Sequence, residues 1–227
     1  ACLNGLRPAR DVLPTVALRT VHRPLERRLV RMLSALAYEG ALEALPTAGE
    51  ATGRDRTVTA EYLQEGTGIP MTGGDVVEST NAEVARTVER VFEHIRDRPE
   101  QSLAVVTVSE PHARRVAAAV QATAARAPWA LDFLSRGRGE DAEGAEPFVI
   151  VPVTRAASVV RDAVILTPGY GRTPHGRVVH HFGAFSDPDG ERMVTVALTR
   201  ARRRLHLVSA LRAADLDEDR LDGGAPW

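Results

Sequence analysis

SLAVVTVSEPHARRVAAAVQATAAR, residues 102–126, is the stretch whose reading decides the fold. Ser102 to Val108 is an apolar run of the kind a strand shows when both its faces are buried, and Glu110 to Arg126 reads as a helix. Two more short apolar runs follow, FVIVPV (Phe148 to Val153) and DAVILT (Asp162 to Thr167). Upstream, STNAEVARTVERVFEHIRDRP opens on the N-cap candidates Ser79, Thr80 and Asn81. It sets Val84, Val88, Val91, Phe92 and Ile95 on one side and ends before Pro99. Short apolar strands separated by helices predict an α/β fold, with a parallel sheet covered by helices on both faces.

Further out, LERRLVRMLSALAYEG predicts a helix from just after Pro24 to Gly40, with Leu25, Leu29, Met32 and Leu36 on one face. Ala41 to Gly74 is rich in Gly, Thr and Pro and reads as loop with one strand, TVTAEYL, from Thr57 to Leu63. SRGRGEDAEGAEP, Ser135 to Pro147, has the composition of a mobile surface loop. GERMVTVALTRAR predicts a helix beginning near Gly190, and RLHLVSA a strand leaving it. One domain is expected over residues 1–227. Residues 1–76 form the first helix and its loop-and-strand region, 77–214 the parallel core with the 135–147 loop inside it, and 215–227 a tail.

All 29 basic residues are arginine, a compositional bias that fits a GC-rich bacterial genome. Against 30 acidic residues they leave a formal net charge of −1, so the whole chain has no field to hold a polyanion, and any nucleic-acid contact must come from a local patch. Cys2 is the only cysteine, and no Cys/His cluster has the spacing of a zinc site. No apolar run approaches the roughly 18 residues of a membrane span, and the N-terminus lacks a signal-peptide layout. The expectation is a soluble, cytoplasmic protein with no bound structural metal and no membrane partner.

VTVALTRARRRLHLVSA, Val194 to Ala210, carries four arginines in five residues: Arg200, Arg202, Arg203 and Arg204. On a helical wheel Val194, Ala197, Leu198 and Ala201 share the buried face and Arg203 falls opposite. Arg200 and Arg202 flank that face, where a guanidinium can reach past the helix while its stem packs on apolar neighbours. Either they serve a cleft, or the cluster complements the negative end of its own helix.

VALTRARRRLHLVS resembles motif VI of the superfamily 1 helicases, V-A-I/V/L-T-R-A-R/K followed by an apolar strand. The resemblance covers most of the chain. RDAVILTPGYGRTPHGRVVHHFGAFSDPDGERM is similar to the segment leading from motif V into motif VI, through its GYG, its FG and its GGER-like turn, here Asp189-Gly190-Glu191-Arg192. LRTVHRP resembles motif IV, and SLAVVTVSEPHARRV the strand-to-helix element whose residues face the nucleic-acid backbone. The order is that of the second RecA-like domain in the branch of nonsense-mediated-decay helicases and replication nuclease-helicases.

This resemblance implies a RecA-like, P-loop NTPase fold that lacks the Walker A loop and completes an ATP site with arginines. Arg200 resembles the motif VI arginine finger and Arg23 the motif IV contact to the γ-phosphate. Arg202 is a secondary candidate for ATP binding or domain coupling. The physical need is a guanidinium that stabilises charge on the γ-phosphoryl oxygens as the cleft closes. ATP and Mg2+ are implied only together with an N-terminal RecA-like domain, because a chain without lysine has no G-x-x-x-x-G-K-S/T. The chain alone is therefore expected to be inactive. Its first residues enter the motif IV region directly, as in an excised half of a longer protein. Single-stranded nucleic acid, DNA rather than RNA, is the implied partner.

The resemblance breaks at motif V, V-x-x-x-Q-G-x-E-x-D-x-V/I-I, where this chain has VTRAASVVRDAVI. Ala157, Ser158 and Val160 replace the glutamine, glycine and glutamate. Ala157 and Val160 cannot make the hydrogen bonds of the residues they replace, while Arg161 and Asp162 read as structural. A catalytically degenerate RecA-like module, serving as a nucleic-acid-binding or scaffold domain, is the alternative. Thr107, Ser109 and His112 lie where a strand ends and a helix begins, the end at which open parallel sheets bind ligands. Contact with a nucleic-acid backbone and simple helix capping by Ser109 both fit there. GYGRTPHGR reads as a flexible loop, and His175, His180 and His181 lack the carboxylate partners of a metal site.

Overall fold

The structure, a computed structural model, describes residues 18–21, 27–45, 57–64, 69–70, 77–136, 146–217 and 220. Cys2, Arg23, Leu25, residues 137–145 of the predicted loop and 221–227 of the tail lie outside them. In chain order the elements are β1 (Thr20–Val21), α1 (Arg27–Ala37), β2 (Glu43–Ala44), β3 (Val58–Tyr62), β4 (Ile69–Pro70), β5 (Val77–Glu78) and α2 (Asn81–Asp97). They continue with β6 (Leu103–Thr107), α3 (Glu110–Ala124), α4 (Leu131–Ser135), β7 (Val149–Pro152), β8 (Arg161–Thr167), α5 (Gly190–Leu198) and β9 (Ala201–Ser209).

Five strands form one sheet in the order β3-β9-β8-β6-β7, and every neighbouring pair is parallel. Each residue of β6 is buried, as is Ala163–Thr167 of β8, because helices cover both faces. Val84, Val88, Val91 and Ile95 of α2, with Val116 and Val120 of α3, pack on Leu103, Val105, Ala163 and Ile165. Leu29, Val30 and Leu33 of α1, with Val194 and Ala197 of α5, pack on Ala104, Val106, Val164 and Leu166. The expected α/β architecture is present. Among the described residues no helix is long and apolar enough to cross a membrane.

Two local expectations are corrected. The buried face of α1 is Leu29, Val30, Leu33 and Ser34, whereas Met32 is 47% exposed. The cause is Ser34, whose Oγ accepts from Leu42 N–H at 2.9 Å and lies 3.2 Å from Leu42 O. That exchange holds the returning chain against the buried side of the helix, so the face that carries Ser34 is the one that is covered.

The last helix ends sooner than its wheel assumes. Thr199 Oγ1 donates back to Thr195 O at 2.8 Å, and β9 begins at Ala201. Arg202, Arg203 and Arg204 therefore lie on a strand, and the helical placement of Arg202 and Arg203 does not hold. The register between β8 and β9 shifts from Arg161↔Ala201 to Ala163↔Arg204. Two arginines, Arg202 and Arg203, thus stand opposite the one residue Asp162, as a β-bulge places them.

The GGER-like turn is a packing requirement. A Cβ at Gly190 would lie 2.0 Å from the backbone oxygen of Phe185, which has no side-chain freedom to move away. Gly190→Ala is expected to lower stability by about 2–4 kcal/mol through the backbone shift it forces, read as a lower midpoint in urea unfolding.

Candidate functional site

The starts of β6, β8 and β9 line one edge of the sheet. Arg200 stands there, between α5 and β9. Its Nη1 donates to Ala157 O at 2.5 Å and its Nη2 to Thr199 Oγ1 at 2.9 Å, while its own carbonyl accepts from Arg161 N–H at 3.2 Å. Ala157 belongs to the 3-10 run Val153–Ser158, which crosses from β7 towards β8 and packs on α5 through Val153 and Ala156. The segments that resemble motifs V and VI therefore meet at Arg200.

Arg202 is engaged differently. It is paired with both oxygens of Glu146, one of them at 2.7 Å, and its Nε meets Asp162 Oδ1 at 3.2 Å. Ser102 joins this cluster by donating its backbone N–H to Asp162 and its hydroxyl to Glu146 at 2.7 Å, with Oγ 3.2 Å from Asp162 Oδ2. Hydrogen bonding to Glu146 raises the pKa of Arg202, and the same contact lowers that of Glu146. For Asp162, burial pushes the pKa up, but Arg202 and Ser102 outweigh it and the net direction is down. All three stay charged at neutral pH, and Asp162 has the structural role expected at the head of its strand. Glu146, near the end of the predicted mobile loop, is anchored by this cluster.

At the opposite edge the ends of β6 and β8 are filled by a buried polar chain. Thr167 Oγ1 donates to Glu83 Oε1 at 2.7 Å, and the Gly169 N–H donates to the same oxygen at 2.7 Å. His112 Nε2 lies 2.9 Å from Thr167 Oγ1, and His112 Nδ1 lies 2.7 Å from Ser79 Oγ. Burial, with the charge of Arg115 adding, lowers the His112 pKa to about 3, so the ring is neutral. Because the Thr167 hydroxyl hydrogen goes to Glu83, the ring hydrogen of His112 sits on Nε2 and Ser79 donates to Nδ1. The hydrogen bonds run one way, from Ser79 through His112 and Thr167 to Glu83.

Backbone geometry holds this chain in place. Ser79 adopts φ +61, a left-handed conformation costing a non-glycine residue about 1–2 kcal/mol. Its N–H is held by Gly169 O and its carbonyl by Arg115. A Cβ on Gly169, at φ +82, would lie 2.5 Å from His112 Cγ.

Thr107 and His112 are wholly buried, and Ser109 Oγ accepts the His112 N–H at 3.3 Å as the N-cap of α3. These three residues are brought together, but their polar atoms bind one another and the polar chain. On a nucleic acid, Thr107 and His112 would act only through the elements they hold. Glu83 is not among the residues that the sequence reading singles out. The signal was present: Glu83 and Thr87 sit four apart on the same helix as Val91, two polar residues on a buried stripe.

The remaining candidates have ordinary partners. The GYG loop closes as a turn, with Gly176 N–H to Thr173 O at 2.8 Å and Arg177 N–H to Thr173 Oγ1 at 3.1 Å. His180 Nε2 accepts from the Asp217 N–H at 2.9 Å. No group of three metal-binding side chains occurs among the described residues.

No family model matches the chain, and no curated protein does. Among solved structures it is similar to the C-terminal domain of a possible DNA helicase from Lactobacillus plantarum WCFS1, at 14% identity and a TM-score of 0.42, over 89% of this chain and 98% of that one. It is also similar to the C-terminal part of the Fun30 ATPase domain, at 9% identity and a TM-score of 0.31, over 57% of this chain and 41% of that one. At these values the likeness is one of chain path, and the fold rests on the sheet order and packing described above.

Proposed function

We propose that this chain is the C-terminal, RecA-like motor domain of an ATP-dependent superfamily 1 helicase-like protein. It completes an ATP site in trans to an N-terminal RecA-like domain that supplies the phosphate-binding loop and holds Mg2+, and it contacts single-stranded DNA, in a cytoplasmic setting. The observation that carries the reading is the meeting of the motif VI-like and motif V-like segments at Arg200. A guanidinium at a helix-to-strand junction, hydrogen-bonded to a backbone carbonyl and a hydroxyl, is pre-oriented at low entropic cost for a phosphoryl group. Arg202 then acts by keeping that edge in register.

A second reading is favoured by Ala157, Ser158 and Val160, which stand where the motif V pattern has glutamine, glycine and glutamate. In it the domain has lost turnover and serves as a nucleic-acid-binding scaffold. The test is ATP hydrolysis by the intact protein with Mg2+, with and without oligo-dT or oligo-U of equal length. Hydrolysis that rises with the strand, more with DNA than with RNA, is expected. Strand binding without hydrolysis selects the scaffold.

A further inference from the structure

Between β3 and β9 on one side and the C-terminal half of α2 on the other lies an open polar cavity of about 690 Å3. That is within the roughly 300–1,000 Å3 of small-molecule sites. Four arginines belong to this region, and two are fully used. Arg86 and Arg90 both bind Glu61, at 2.7 and 2.6 Å, and both also bind Glu93.

The other two arginines are not engaged. The β9 bulge sends Arg204 into the cavity, where its Nε is buried with no hydrogen-bond partner among the described residues. Arg98 ends α2 through its backbone N–H to His94 O, and its guanidinium makes no ion pair among the described residues. The neighbouring Asp97 is bound to Arg96. His94 lines the same cavity as both guanidinia. Its pKa is lowered by burial, with the charges of Arg98 and Arg204 adding, and its Nε2 is already bonded to Gln101 O at 2.9 Å. Thr57 Oγ1, on the cavity wall, is also buried without a partner among the described residues.

We propose that this cavity binds a small phosphorylated metabolite, its phosphoryl group held between Arg98 and Arg204 and its polar body against Thr59, Glu61 and His206. The lining also carries Glu61, Glu93 and Asp97, but Arg86, Arg90 and Arg96 pair with these carboxylates, which leaves the fork-shaped donors of Arg98 and Arg204 to meet a dianion. Among the described residues no Phe, Tyr or Trp lines the cavity, so a hydroxylated body fits better than a stacked base. The site is independent of the motor reading, since neither arginine belongs to the Arg200 edge.

The test is calorimetric titration of the intact protein with ribose 5-phosphate and with inorganic phosphate at fixed ionic strength. Saturable binding of ribose 5-phosphate, tighter than that of phosphate, is expected. Arg98→Ala and Arg204→Ala are each expected to weaken it about tenfold or more. Arg98, half-buried at the C-cap of α2 and without a described ion pair, provides a variant expected to fold even if Arg204→Ala does not. Absence of binding, binding unchanged in Arg98→Ala, or equal affinity for phosphate alone overturns the proposal. Displacement of the sugar phosphate by oligo-dT also overturns it, assigning the arginines to the strand.

Discussion

Arg200→Ala in the intact protein is expected to reduce strand-stimulated ATP hydrolysis about 10³-fold or more, the loss that follows removal of an arginine that stabilises phosphoryl-transfer charge. The substitution also removes the hydrogen bonds to Ala157 O and Thr199 Oγ1. Both lie at a half-exposed edge, so stability is expected to fall by only about 1 kcal/mol. Arg200→Lys keeps the charge but loses the fork, and its rate should fall between the two. Steady-state hydrolysis at saturating oligo-dT, with urea unfolding of each variant, separates chemistry from folding. Turnover unchanged in Arg200→Ala would reject the assignment.

The second large effect is a pH dependence at Glu83. Burial raises its pKa from 4.5 to about 7 against the lowering hydrogen bonds from Thr167 and Gly169. The folded state holds this proton more tightly than the unfolded chain, so the associated stability is complete below pH 4.5 and is lost as pH rises through about 7. The full swing is on the order of 3 kcal/mol. His112 has the opposite sign. Its pKa is depressed from 6.5 to about 3, so its contribution is complete above pH 6.5 and lost as pH falls towards 3.

From these two groups stability should climb from about pH 3 to 4.5, stay level to about 6.5, and decline to about 7. Glu83→Gln keeps an oxygen for Thr167 and Gly169 but cannot ionise. Relative to the parent, the variant should gain on the order of 3 kcal/mol between pH 4.5 and 8 in urea midpoints. A difference that stays constant with pH would show that Glu83 does not titrate there.

The parallel core was legible in the sequence because β6 and β8 are short runs apolar on both faces, set between helices, as strands of a sheet covered on both sides are. The rotated face of α1 was not legible. The buried face carries Ser34, a polar residue whose partner lies eight residues along the chain, which no periodicity records. The arginine cluster was misread for a similar reason. Arg202 and Arg203 fit a helical wheel well, but the Thr199 hydroxyl and the bulge opposite Asp162 end the helix before either is reached. Arg200 kept its place at the junction because it precedes the strand. The polar chain at the far edge joins residues up to 86 apart, Glu83 to Gly169, beyond any local pattern.

The anchoring of Glu146 has an engineering consequence. Arg136 Nη1 is held to Pro99 O at 2.8 Å, and Glu146 is held by Arg202 and Ser102. The chain between 136 and 146 thus enters and leaves through two fixed posts on the body of the domain. Closing a longer loop costs only about 0.6 kcal/mol per doubling, so an added peptide between these posts is expected to cost little stability. That makes it a point to graft a fluorescent reporter or an affinity tag, with the Glu146–Arg202 pair kept because it adjoins the Arg200 edge.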